Sequence, residues 1–260
     1  MITIGNQQVD VSTISSSYPE NSVERKILSI LASSSQTYAY DSIGQLQFEL
    51  RLRREIISAA NELYHSRLAF RIFRDSTVNP AYWERLNDGG FLLKQGVRPS
   101  AAIQDIFTNS SMYGTECATA MVIIYYKALL NIFPPEQFDK MFPSIYLMNW
   151  HRIDPLLREI GLMQNAADPL PGDRRYFINP DVNPETPHWQ GENVIDMGDG
   201  TFYGHGVGKY PAEIMIQALN RNRREGATQS AYLLDSVGRP NFKNLYSYYQ
   251  RNVADVSPAP

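Results

Sequence analysis

The chain has one cysteine, Cys117, at a position where a thiol could perform covalent chemistry. Cys117 directly precedes residues 118–133, the most apolar segment of the chain, which predicts a buried helix. A helix N-terminus carries unpaired N–H groups and a partial positive charge, which together favour a thiolate and lower a cysteine pKa from about 8.5 toward neutrality. The same N–H groups suit a developing oxyanion. Cys117 is therefore a candidate nucleophile, and a small buried hydrophobic residue is the alternative interpretation.

Histidine is a common base for a thiol nucleophile, and this chain has four. His205 lies in Tyr203-Gly204-His205-Gly206, on a predicted strand well downstream of Cys117. In papain-like folds the cysteine heads the central helix and the histidine comes from such a strand, so the order favours His205 as the base. The other three have simpler explanations, at a helix end or beside a tryptophan: His65, His151 and His188.

Two glutamates offer a second kind of base. Glu116 directly precedes Cys117, and Glu192 lies at the start of a predicted strand. An ordinary glutamate that takes a proton from an ordinary cysteine faces a pKa gap of about four, or about 6 kcal/mol, whereas a histidine faces about half of that. Burial of the glutamate among aromatic residues would narrow the gap. The simpler interpretations are a helix-dipole residue for Glu116 and a strand-end polar residue for Glu192.

Composition excludes several other functions. The 260 residues carry a net charge of -3, with an isoelectric point near 5.8, so nothing indicates a nucleic-acid partner. No run reaches the roughly 18 apolar residues that a membrane helix needs, and residues 1–17 lack the pattern of a signal peptide. We therefore expect no membrane association, and synthesis in the cytoplasm. A single cysteine excludes an intrachain disulfide.

Metal and cofactor motifs are absent from the sequence. The segment Asp196-Met197-Gly198-Asp199-Gly200 is acidic, but it lacks the ligand spacing of a calcium loop, and a hairpin turn explains it. No glycine-rich phosphate loop and no paired cysteines for a metal are present. We therefore predict no cofactor and no metal site.

Helices are predicted wherever a capping residue precedes apolar residues spaced three or four apart. Asn21 and Ser22 are the cap candidates of a short helix, and Asp41-Ser42 is the cap candidate of a long one that extends to Tyr64. The arginines of the long helix are expected on its solvated face: Arg51, Arg53 and Arg54. Further helices are predicted over 101–107, 118–133, 211–224 and, weakly, 233–249.

Strands are predicted where apolar segments are bounded by turn residues. The turn 87–90 joins the segments 82–86 and 91–93 into a hairpin. Later strands are predicted over 144–150, 174–178, 193–197 and 201–206, and 165–171 is predicted to be a loop. The sequence therefore predicts an α+β fold, in which helices come first and mostly antiparallel strands follow.

No linker divides the chain, which favours a single domain. We predict a polar N-terminal extension over 1–20, a single catalytic domain over 21–250 and a flexible tail over 251–260.

Five segments of the chain resemble one enzyme family, in the same order. The segment 113–126, YGTECATAMVIIYY, resembles the active-site segment of the spore-coat transglutaminases of Bacillus and its relatives, the protein-glutamine gamma-glutamyltransferases. The other four segments are similar to parts of the same family: Trp150-His151, 189–195, 204–206 and 226–234. The resemblance extends from about Tyr38 to about Tyr246, which is most of the chain.

What this resemblance implies is a calcium-independent enzyme that joins a glutamine side chain to a lysine amine. It implies a papain-like core, in which a central helix headed by the cysteine packs on a mostly antiparallel sheet. The implied partners are proteins with reactive glutamine and lysine residues, and the implied location is the spore coat. Two alternatives stay open. One is a papain-like cysteine amidase or peptidase with water as the acceptor, and the other is a non-catalytic coat scaffold protein.

The resemblance also implies roles for individual residues. Cys117 matches the nucleophile, Glu192 the principal general base, and Glu116 a second carboxylate that can partly replace it. His205 matches a histidine near the site, so the resemblance overrides the preference for this histidine as the base. Three aromatic residues match those that line the tunnel to the cysteine: Phe70, Trp150 and Trp189.

Overall fold

The computed structural model describes residues 1–252, which form eight α-helices and fifteen strands. The helices are α1 (Val11–Ser15), α2 (Val23–Ser33), α3 (Ile43–Tyr64), α4 (Pro99–Thr108), α5 (Cys117–Leu130), α6 (Pro135–Met141), α7 (Ala212–Asn220) and α8 (Phe242–Asn252). The strands are β1 (Ile2–Ile4), β2 (Gln7–Gln8), β3 (Tyr38–Tyr40), β4 (Ala69–Phe70), β5 (Trp83–Arg85), β6 (Phe91–Leu93), β7 (Gly114–Thr115), β8 (Tyr146–Leu147), β9 (Gln164–Asn165), β10 (Arg174–Ile178), β11 (Gly191–Asp196), β12 (Phe202–Gly204), β13 (Gly208–Tyr210), β14 (Tyr232–Leu233) and β15 (Ser236–Val237).

Helix α5 lies at the centre of the fold, as its apolar sequence predicts. Its residues from Ala118 to Leu129 are all buried, because the helix packs against α3, α4 and β11. Glu116 caps its N-terminus by accepting the N–H groups of Ala118 and Thr119. Cys117 is therefore the first residue of a helix that is enclosed along nearly its whole length.

The largest sheet packs against α5 through its middle strand. Its strand order is β13-β12-β11-β10-β14, and every neighbouring pair is antiparallel. β10 coincides with the predicted strand 174–178, whereas β11 begins two residues earlier than predicted because it pairs with β10 as far as Gly191. Glu192 therefore lies inside a central strand, opposite Phe177, and is not a strand-end residue. The predicted α+β class, with a mostly antiparallel sheet, is confirmed.

A second sheet, formed by β5, β6 and β8, precedes the turn that contains Trp150. The predicted hairpin is confirmed as β5 and β6, to which β8 adds a third antiparallel strand. β8 is shorter than the predicted strand 144–150, because Asn149 and Arg152 adopt left-handed backbone conformations with φ of 50° and 53°. The turn between them brings Trp150 to the cavity that contains Cys117.

The long helix α3 is confirmed, with Ser42 as its cap. The expectation that its arginines are all solvated is wrong for Arg53, which is fully buried. Its guanidinium pairs with Glu49 and Asp173 at 2.8 Å each, and Arg239 binds the same aspartate at 2.6 Å. This buried carboxylate joins α3 to the segments that precede β10 and α8, which is why a charged residue lies inside the fold.

The first twenty residues, predicted as a polar extension, contain β1, β2 and α1. β1 pairs in parallel with β3, and Ile2 is 1% exposed because it packs in a small core with Ile27 and Leu28 of α2. These contacts attach the N-terminal stretch to the helices that follow it.

The C-terminal part differs from the prediction of a weak helix over 233–249. Two short strands, β14 and β15, come first, and α8 begins only at Phe242, after Pro240. Residues 251 and 252 of the predicted tail complete α8, and the rest of that tail lies outside the described residues. None of the helices within 1–252 is both long enough and apolar enough to cross a bilayer.

Candidate active site

The N-terminus of α5 opens into a cavity of about 640 Å³. Cys117 lines it and is half-buried, so small molecules can reach the thiol through the cavity. Phe70 and Trp150, two of the predicted tunnel residues, form part of the wall. Trp189 is not a lining residue, and its ring stacks on Phe70 with the two centroids 6.5 Å apart. The structure therefore places two of the three predicted tunnel residues at the cavity and the third against one of them.

The surroundings of Cys117 contradict the prediction of a lowered thiol pKa. Burial raises the pKa of the thiol well above its ordinary value of 9.0, and the carboxylates of Glu192 and Glu116 raise it further. Hydrogen bonds from Asn193 act in the opposite direction. Burial is the largest of these effects, and it outweighs the helix N-terminus, which carries about half a positive charge. The resting protein therefore holds Cys117 as a neutral thiol.

Glu192 is the carboxyl group best placed to exchange a proton with that thiol. It is 3% exposed, and its Oε1 accepts the N–H of Gly206 at 2.8 Å. Burial, followed by the charge of Glu116, raises the pKa of Glu192 to about 8, although hydrogen bonds with Gly206 and with the Cys117 thiol lower it. The pKa of Glu192 is therefore much closer to that of an ordinary thiol than the pKa of an ordinary glutamate is. This carboxyl holds a proton at neutral pH.

Glu116 is buried as well, but its oxygens are already engaged. Oε2 accepts the N–H of Ala118 at 2.5 Å, while Oε1 accepts both the N–H of Thr119, at 2.8 Å, and the Thr119 hydroxyl. That hydroxyl accepts the N–H of Asn149 at 2.7 Å. Burial raises the pKa of Glu116, and these hydrogen bonds partly offset the rise. Glu116 therefore holds the start of α5 and, through Thr119, the turn that carries Trp150.

His205 lies near Glu192, but both of its ring nitrogens are occupied. Nε2 lies 3.2 Å from the carbonyl oxygen of Ala69, which can only accept, so Nε2 carries the proton. Nδ1 then accepts the Tyr203 hydroxyl at 3.2 Å. Burial lowers the pKa of His205 to about 4. This histidine is therefore neutral at physiological pH and fixes the turn after β12 to β4, the strand that contains Phe70.

Two glycines that sequence reasoning did not single out make room for the Glu192 carboxyl. A Cβ at Gly204 would lie 2.6 Å from Glu192 Oε1, and one at Gly206 would lie 3.2 Å from Oε2 and from the Phe70 ring. Side-chain atoms do not approach as closely as the first of these distances, so the carboxyl fits only beside a glycine. The signal in the sequence is Gly-His-Gly on the strand that follows the glutamate, which predicts a close approach once the antiparallel pairing is known.

Gly204→Ala is expected to displace the Glu192 carboxyl and to lower kcat/KM by about 10- to 100-fold, because misplacement of a reacting group by about 1 Å costs that much. Gly206→Ala is expected to have a smaller effect, since its Cβ meets looser contacts and its N–H is retained. Steady-state kinetics of the two folded variants would measure this order. Equal activity of Gly204→Ala and the unaltered protein would show that the glycine is not needed for this purpose.

Asn193 is a further residue that sequence reasoning missed. Its Nδ2 lies 3.6 Å from Cys117 Sγ, and its Oδ1 accepts a hydrogen bond from Arg174 at 2.8 Å. The only signal in the sequence is its position directly after Glu192 on β11. Within residues 1–252, no group of three or more His, Cys, Asp or Glu side chains is arranged to hold a metal ion.

A cysteine thiol and a buried carboxyl in a cavity walled by aromatic rings can together perform nucleophilic acyl transfer. Comparisons with known proteins show which family the chain is similar to. The family model described as "Protein-glutamine gamma-glutamyltransferase" matches residues 1–249.

Individual relatives agree with that match. The chain is 43% identical over 257 residues to a protein-glutamine gamma-glutamyltransferase of Bacillus cereus (strain B4264), covering 99% of this chain and 92% of the relative. It is 45% identical over 249 residues to that of Bacillus cereus (strain AH187), covering 96% and 89%. A solved structure, the transglutaminase from Geobacillus stearothermophilus without its C-terminal extension, is similar with a TM-score of 0.75 at 46% identity, covering 80% of this chain and 98% of that one. The chain belongs to the protein-glutamine gamma-glutamyltransferase family.

Proposed function

We propose that Cys117 and Glu192 perform the acyl transfer, with a protein-bound glutamine as the donor and a lysine amine as the acceptor. The observation that carries this proposal is the Glu192 carboxyl, which is 3% exposed and accepts the Gly206 N–H, beside the Cys117 thiol that lines the cavity. Burial raises the pKa of both groups. Family membership supports glutamine and lysine side chains as the reacting groups.

The first half of the reaction forms a thioester. Once Glu192 is ionised, it takes the proton of the Cys117 thiol, and the thiolate attacks the γ-carboxamide carbonyl of the glutamine. The N–H of Cys117, which the Glu116 cap leaves free, and the side-chain N–H of Asn193 are available as donors for the oxyanion. Glu192 then returns the proton to the departing nitrogen, so that the C–N bond breaks and ammonia leaves.

The second half consumes the thioester. The lysine ε-amine loses a proton to Glu192 and attacks the thioester carbonyl, which forms the isopeptide bond and releases the thiolate. Water competes with the amine at this step. The apolar wall formed by Phe70, Ile72, Phe73 and Trp150 favours a neutral alkyl amine over bulk water near the thioester.

We assign supporting roles to the other two titratable groups. Glu116 mainly caps α5 and holds the Trp150 turn, and it is the second carboxylate close enough to Cys117 to accept a proton when Glu192 is lost. His205 positions Phe70 and the Gly204–Gly206 segment and does not act as the base, since its pKa is lowered and its nitrogens are engaged. This assignment favours transfer over a papain-like amidase reaction with His205 as the base.

Three further proposals rest on kinship with the Bacillus enzymes. The substrates are proteins of the spore coat, the enzyme is made in the cytoplasm and acts at the coat, and catalysis requires no calcium. The last of these is supported by the fact that nucleophile, base and hydrogen-bond donors all come from the chain itself.

Incubation with a glutamine-containing protein and a fluorescent primary amine is expected to attach the label, with release of one ammonia per label. Cys117→Ala is expected to reduce labelling to background, because no thioester can form. The reaction is expected to proceed equally with calcium and with an excess of calcium chelator. Ammonia release without label would identify an amidase, and the absence of both would identify a non-catalytic protein. Loss of labelling in the chelator would overturn the calcium proposal alone.

A further inference from the structure

Arg174 is a buried cation beside the cavity for which the reaction described above gives no role. It is 2% exposed, and within residues 1–252 its guanidinium forms no ion pair. Nε donates to the carbonyl of Ile160 at 2.9 Å, Nη2 to the carbonyl of Leu162 at 3.3 Å, and Nη1 to Oδ1 of Asn193 at 2.8 Å. Burying a charge without a charged partner is costly, and such groups cluster at functional sites.

The guanidinium determines which way the Asn193 amide points. All of its polar atoms are donors, so the amide must present its oxygen to Arg174. The amide nitrogen then faces the opposite side, where it lies 3.6 Å from Cys117 Sγ. Arg174 therefore prevents the Asn193 amide from flipping, so that its nitrogen remains directed at the sulfur.

The position of Arg174 is itself fixed from two sides. Its guanidinium lies over the Trp150 ring, 4.2 Å from the centroid, so it also supports the cavity wall. On the other side, a Cβ at Gly238 would lie 2.7 Å from Arg174 Nε, so only a glycine leaves room for the side chain there. The fold thus reserves space for this one cation between a tunnel residue and the strand that carries Glu192 and Asn193.

We propose that Asn193 is a catalytic residue that donates a hydrogen bond to Cys117 Sγ as it becomes a thiolate, and that Arg174 is the positioning residue that orients this amide. The positive charge of Arg174 also opposes the effect of the two carboxylates on the sulfur. The proposal rests on the proposed function only in taking Cys117 as the reacting thiol. The titratable and charged groups that face the sulfur are Glu116 beside α5, Glu192 on β11, and Arg174 and Tyr176 on β10.

The pH dependence of alkylation tests this proposal. Cys117 is the only cysteine in the chain, so iodoacetamide labelling followed by mass spectrometry reports this thiol alone. Asn193→Ala and Arg174→Gln are expected to raise the apparent pKa of the alkylation profile by about one or more, because each loses a hydrogen bond that favours the charged sulfur. At pH 8 the alkylation rate is then expected to fall about tenfold.

Two further variants separate this role from general damage. Arg175→Gln is the matched control, since Arg175 is the adjacent residue and is 6% exposed, and among the described residues its guanidinium donates only to the carbonyls of Leu234 and Ser236. It is expected to leave the alkylation profile unchanged. Arg174→Lys retains a cation that can donate to Asn193 and is expected to recover at least half of the change in Arg174→Gln.

Each outcome decides the proposal. Unaltered profiles in folded Arg174→Gln and Asn193→Ala, checked by circular dichroism, would overturn it, as would an equal change in Arg175→Gln. If Arg174→Gln does not fold, Asn193→Ala alone decides whether the amide acts on the sulfur, and Arg174→Lys decides whether the cation orients it. Alkylation needs no glutamine donor, so the absence of amine transfer by the unaltered protein would contradict the proposed function and leave this result intact.

Discussion

Glu192→Gln is expected to lower kcat/KM for amine transfer by about 100- to 10,000-fold, which is the usual contribution of a general base. Glutamine has nearly the same shape and retains an oxygen for the Gly206 N–H, so the variant removes the proton-accepting group and little else. The unaltered protein is expected to gain activity as the pH rises through about 8, because the carboxyl must lose its proton before it can accept the one from Cys117. Initial rates with a glutamine peptide and a labelled amine, measured between pH 6 and pH 10, would show both effects.

Glu116→Gln is the matched comparison, since it changes the other carboxyl beside the same thiol. We expect a loss of about tenfold or less, because Glu116 acts mainly through the cap of α5 and glutamine retains part of that cap. A larger loss in Glu116→Gln than in Glu192→Gln would reverse the two roles. Full activity of Glu192→Gln with inactivity of His205→Ala would instead identify the histidine as the base.

Much of the scaffold of this site follows from local sequence. Ser22 and Ser42 each precede apolar residues at helical spacing, and both cap the helices predicted after them. The segment after Cys117 is apolar on every side, which is typical of an enclosed helix, and α5 is enclosed. These features depend on hydrogen bonds and packing within one or two turns, so the sequence alone contains the information.

Features that depend on distant residues could not be predicted in the same way. Arg53 looks like a surface residue until the segment before β10 supplies Asp173 as its partner. The thiol pKa was expected to be low because the helix N-terminus is visible in the sequence, whereas the burial and the carboxylate on β11 that raise it are not. The positions of Asn193 beside the thiol and of Gly204 beside Glu192 result from the pairing of β11 with β12 and its packing on α5. Sequence reasoning thus singled out the Cys117 thiol, and the antiparallel register determines which groups surround it.

The same register buries Glu192, which makes ionisation of its carboxyl unfavourable. A carboxyl with a pKa of about 8 in the folded chain, against an ordinary value of 4.5, binds a proton more tightly when folded than when unfolded. Its contribution to stability is therefore fully present below pH 4.5 and is lost as the pH rises to about 8. Above that pH the folded protein contains a buried carboxylate without an ion-pair partner among the described residues, which is the state that the proposed mechanism requires.

Glu192→Gln is consequently expected to be more stable than the unaltered protein at alkaline pH. The difference between about 8 and 4.5 corresponds to about 5 kcal/mol of unfolding free energy at pH 9, while the two proteins should differ by less than about 1 kcal/mol at pH 5. Urea unfolding at both pH values would measure the difference. The exposed Glu185→Gln removes one surface charge and is the control, with little change expected at either pH. If Glu192→Gln had the same advantage at pH 5 as at pH 9, proton binding by Glu192 would not be its cause. A gain confined to alkaline pH, together with the loss of amine transfer, would show that one buried carboxyl both drives the reaction and weakens the fold.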